Sequence, residues 1–70
     1  MIYNSGDKIT LGNLGEYIVF DSCIYNDKEF MALMKKDQTG MIMVEVKTED
    51  DLEIIDEKDE IKKIIKFMAS

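Results

Sequence analysis

The sequence predicts an α+β domain: a curled antiparallel meander of four or five strands, rolled in the manner of a small SH3-like barrel, closed by one C-terminal helix. Three observations carry this. Apolar residues alternate with period two through most of residues 8–47, turn residues interrupt that alternation at regular intervals, and the last segment, from Ile61 to Met68, changes to the period of a helix.

Asn4-Ser5-Gly6-Asp7, Gly12-Asn13-Leu14-Gly15, Asn26-Asp27 and Lys36-Asp37-Gln38-Thr39-Gly40 are the punctuating segments. Lys8-Ile9-Thr10-Leu11 reads as a short strand and Glu16 to Tyr25 as a longer one, rich in the β-branched and aromatic types that pack on a pleated surface. Tyr17 and Val19 then share one face, and Ile18 and Phe20 the other. Strict alternation would set Asp21 beside Val19, and a carboxylate there would be costly to bury. A bulge or bend near Asp21-Ser22 is therefore expected. Asn26-Asp27 suits a two-residue hairpin turn, because both residue types tolerate positive φ.

The returning strand sets Phe30, Ala32 and Met34 against Met31 and Leu33. A longer loop follows, with Gly40 expected at its left-handed position. The next strand, Met41 to Lys47, places Ile42, Val44 and Val46 on one face and Met41, Met43, Glu45 and Lys47 on the other. Leu52-Glu53-Ile54 reads as a brief fifth strand. Ile61, Ile64, Ile65 and Met68 then fall on one face of a helix. Asp56 or Asp59 is expected to cap it, with acids in its first turn and Lys62, Lys63 and Lys66 toward its negative end.

At 70 residues the chain has room for a single domain, 1–70. Its 46% hydrophobic content sets it apart from disordered chains. The single Cys23 excludes an internal disulfide and points to a reducing, cytoplasmic setting. The first residues lack the basic and apolar regions of a signal peptide, and no apolar run approaches the roughly 20 residues that span a bilayer. The net charge of −6, with no arginine, argues against direct nucleic-acid binding.

With no histidine in the chain, the commonest general base and transition-metal ligand are missing, so no cofactor, zinc site or Cys23-based nucleophile is expected. An enzyme would have to rest on carboxylates alone, with Asp21 and Glu45 meeting on neighbouring strands as an acid and base pair. The four glycines are turn residues, since Gly12-Asn13-Leu14-Gly15 precedes a strand and so lacks the helix N-terminus of a phosphate loop.

Two features suit binding to another protein. Met31, Met34, Met41 and Met43 cluster around the second hairpin, either as filling for a small core or as an adaptable surface. Residues 49–60 hold eight of the fifteen carboxylates against one lysine. Glu49, Asp50, Asp51 and Glu53 there form either a solvated edge or a phosphate-like array for a basic, nucleic-acid-binding partner. The stretch lacks the spacing of a calcium loop. A non-enzymatic protein-binding or regulatory module is the leading expectation, and the nucleic-acid mimic is the alternative.

Gly6-Asp7-Lys8-Ile9-Thr10-Leu11, Gly15-Glu16-Tyr17-Ile18-Val19, Tyr25-Asn26-Asp27-Lys28-Glu29-Phe30, Asp51-Leu52-Glu53-Ile54-Ile55-Asp56 and the Ile61 to Phe67 helix follow one another in an order that resembles the short acidic YrzB-like proteins of unknown function from Firmicutes and their mobile elements. Lys35-Lys36 and the methionine cluster depart from that pattern. The resemblance implies the fold and a bacterial cytoplasmic home, and it transfers no functional residue.

Overall fold

The computed structural model describes residues 3–69. Five strands, β1 (Lys8–Thr10), β2 (Glu16–Tyr25), β3 (Lys28–Lys35), β4 (Met41–Thr48) and β5 (Asp51–Ile55), form one antiparallel sheet in sequence order. A helix, α1 (Lys58–Ala69), follows. A single 3-10 turn at Gly12–Leu14 joins β1 to β2, and Gly15 after it takes φ 93°, a left-handed value that a Cβ would strain.

The β2–β3 turn is built as its residue types predict: Asn26 and Asp27 have φ 53° and 61°, the paired positive values of a type I′ hairpin. The β3–β4 loop differs from expectation. Its left-handed residue is Gln38, with φ 63°, and Gly40 is not left-handed. The reason lies in the ladder, because Lys35 donates to the Gly40 carbonyl and closes the hairpin there. Gln38 donates back to Lys35, which places the turn's apex two residues earlier than Gly40.

The expected bulge is present. Val19 faces Leu33 and Asp21 faces Ala32, so Phe20 is the extra residue. Before it the odd-numbered side chains Tyr17 and Val19 pack with Ile9, Met31, Leu33, Val44 and Val46. After it the odd-numbered Cys23 and Tyr25 pack on the opposite face, with Phe30, Ala32 and Met43. One inserted residue thus removes a carboxylate from the apolar interior.

The first cluster draws on β1 to β4, with Leu52 of β5 and Tyr3 packed against it, and it fills the concave side of the curled sheet. The Tyr3 hydroxyl donates to the Glu49 carbonyl at 2.8 Å, tying the chain start to the β4–β5 turn. The second cluster lies on the convex side, under α1, where Ile64 is fully buried on Phe30, Ala32 and Met43. Phe67 extends the contact to Tyr25, with ring centroids 5.1 Å apart. Ile61 and Met68 are half-buried, but Ile65 is 52% exposed, so the four-residue apolar stripe is only partly used for docking. The capping expectation is also corrected. Ile61 donates to the Glu57 carbonyl at 3.0 Å, which makes Glu57 the residue flanking the helix, with Asp59 inside its first turn and Asp56 one residue further out.

Candidate functional site: an apolar groove beside the helix

Asp21, Ala32, Met43 and Ile55 stand opposite one another on β2, β3, β4 and β5, forming one row across the convex face. The side chain of Ala32 is short, so the middle of that row is low. α1 lies against this row, with Ile64 seated on Ala32 and Met43. Along the other side of the helix runs a groove of about 620 Å³, which reaches the edges of Ala32 and Met43 at its floor and is walled on the helix side by Ile61, Ile65 and Met68. That volume is in the range of a ligand-binding cleft, roughly 300–1,000 Å³.

The bulge shapes the far wall. Phe20, displaced from the ladder, and Asp21 after it both line the groove. Of the large apolar side chains left exposed among the described residues, Phe20 (58%), Met41 (51%), Ile54 (45%) and Ile65 (52%) all border this one groove. Scattered exposed apolar residues are ordinary, whereas their convergence on a single concavity marks a contact surface. The charged side chains of the lining are both carboxylates, Asp21 and Asp56.

The four methionines separate. Met31 is buried in the concave cluster and Met43 under the helix, Met34 is half-buried, and Met41 is exposed at the groove. The cluster is thus both core and surface, and Met41 and Met43 are the members that reach the groove. The sequence reading missed Phe20, Ile54 and Ile65 as site residues. Phe20 was detectable in principle, being the apolar residue next to the required bulge. Nothing local distinguishes Ile65 from Ile64.

Glu49 and Asp50 form the β4–β5 turn and Asp51 and Glu53 lie on β5, all four exposed. Glu53 is held by Lys47 at 3.2 Å, and the same ammonium reaches Glu45 at 3.1 Å. Those two carboxylates raise the Lys47 pKa, the Glu45 hydrogen bond being the larger cause. Asp21 and Glu45 do not meet on neighbouring strands, because β3 separates β2 from β4. Glu45 instead sits against Phe30 and Glu53, in the next row along the sheet. The Cys23 thiol is pushed up by burial, and secondarily by the Asp21 charge, so it is less ionised at neutral pH than an ordinary thiol.

Among the described residues, no three Cys, Asp or Glu side chains converge as a metal-binding group, and no helix is long and apolar enough to cross a membrane. No family model, curated protein or solved structure matches the chain.

Proposed function

We propose that this chain is a non-enzymatic protein-binding module of a bacterial cytoplasm, and that it binds through the groove between α1 and the convex face of the sheet. The observation that carries this reading is the convergence of Phe20, Met41, Ile54 and Ile65 on one concavity. Leaving four large apolar side chains in water forgoes stabilisation on the order of 25 cal/mol per Å² of apolar surface, which a bound partner recovers. The raised Cys23 pKa and the separation of Asp21 from Glu45 support a binding role over a catalytic one. The resemblance to YrzB-like proteins supports the bacterial setting. The acidic segment Glu49, Asp50, Asp51 and Glu53 has less support as a nucleic-acid mimic, because Lys47 already occupies Glu53.

The test compares the native chain with a Phe20→Lys/Ile65→Lys variant, both residues being exposed enough to change without opening the core. Each is used to capture protein from host lysate, and the recovered candidate is then purified and its affinity measured. A purified partner whose affinity falls about ten-fold or more with the variant supports the groove, since truncating an anchor typically costs over 1 kcal/mol. A partner that binds both forms equally removes the groove from the account.

A further inference from the structure

Building on that reading, we infer that the occupant of the groove is an amphipathic helix of another protein, carrying basic residues toward both of its ends. Three features lead to this.

The first is size. β3 and β4 each run eight residues, about 26 Å at 3.3 Å per residue, whereas a packed helix takes about 10 Å of that length. α1 lies over the two middle rows of that face, Phe30 with Glu45 and Ala32 with Met43, all buried, and the row of Met34 and Met41 beside them stays more open. A second helix lying alongside α1 would complete the layer.

The second is backbone chemistry. Ala32 and Met43 offer the groove floor no polar side chain to meet a bare backbone. An extended segment pressed there would bury N–H and C=O groups without partners, but a helix satisfies its own.

The third is charge. Asp21 stands on β2 at one end of the row, and Asp56 follows Ile55 of β5 at the other. Three inter-strand spacings separate them, about 14 Å, which is the rise of about nine or ten helical residues. Basic side chains near each end of the incoming helix meet these two carboxylates. Lys62 and Lys66 lie on the solvent side of Ile65 along α1, so the basic residues face the sheet and not α1. A second copy of this chain is a poor occupant. Its α1 already spends Ile64 on its own sheet, and each copy carries a net charge of −6.

The experiment titrates the full chain, followed by amide NMR shifts, with two synthetic helical peptides as long as α1. Both carry leucine at i, i+3, i+4 and i+7. One has lysine near each end and the other glutamate at the same places. The lysine peptide is expected to shift Phe20, Ala32, Met43 and Ile65 and to bind about ten-fold more tightly than the glutamate peptide, the scale of two exposed charge pairs. Asp21→Asn/Asp56→Asn is expected to erase that difference while leaving the shift pattern in place. Equal binding of both peptides at the groove would overturn the charge assignment and leave the groove reading standing. An extended apolar peptide that binds where neither helix does would overturn the helical one. Shifts confined to residues outside the groove, or none with any peptide, would overturn both readings.

Discussion

Glu45 and Glu53 face each other directly across β4 and β5, a like-charge pair that Lys47, two residues along β4, holds together. Its raised pKa means that Lys47 stabilises the fold at every pH below the ordinary lysine range, and that this contribution is lost only as alkaline pH rises through the folded-state value. Lys47→Gln is therefore expected to lower the melting temperature at pH 7, and to lower it less at strongly alkaline pH, where the ammonium has lost its proton. Melts at the two pH values check this. An equal loss at both would assign the effect to the aliphatic stem of Lys47.

At the scale of the element, β2 shows how one residue can serve both fold and site. Deleting Phe20 leaves Val19 opposite Leu33 and Asp21 opposite Ala32, with every later side chain on its present face. The deletion is expected to fold cooperatively and to lose the far wall of the groove. Deleting Ser22 instead sends Cys23 and Tyr25 to the wrong face and is expected to abolish the cooperative transition. Urea unfolding of both variants distinguishes them. In the hairpin that follows, Asp27 takes φ 61°, a conformation that costs a residue with a Cβ on the order of 1 kcal/mol. Asp27→Gly gives the favoured Asn-Gly pair and is expected to raise stability by up to about 1 kcal/mol, read as a shift in the urea midpoint at constant slope.

At the scale of the molecule, the described residues form two apolar clusters on one sheet. The concave cluster is closed by the curl itself, but the convex one depends on α1. Ile64 is its fully buried anchor, so Ile64→Ala is expected to cost about 2–5 kcal/mol. For a chain of this length the total is only roughly 4–10 kcal/mol, and a large part of it would be lost. Ile65→Ser, next in the chain but facing the groove, is expected to change stability by less than about 0.5 kcal/mol. Denaturant curves for the pair measure how far docking and groove are separate functions of one helix.

The strands, the type I′ turn, the need for a bulge near Asp21 and the helix were all legible in the sequence, because each follows from neighbours a few residues apart. Alternation fixes faces, Asn26-Asp27 accepts positive φ, and a carboxylate after Val19 cannot continue an apolar face. The apex of the β3–β4 loop was not legible, since the ladder bond between Lys35 and Gly40 decides it. Nor was the helix boundary at Glu57, or the division of Ile64 from Ile65. Those two isoleucines have equivalent places in the apolar period, and only the line along which α1 crosses Phe30, Ala32 and Met43 buries one and exposes the other. The groove exists for the same reason. It is the part of the convex face that a helix of twelve residues, anchored by contacts from distant strands, leaves open, and no local pattern in the chain encodes where that line falls.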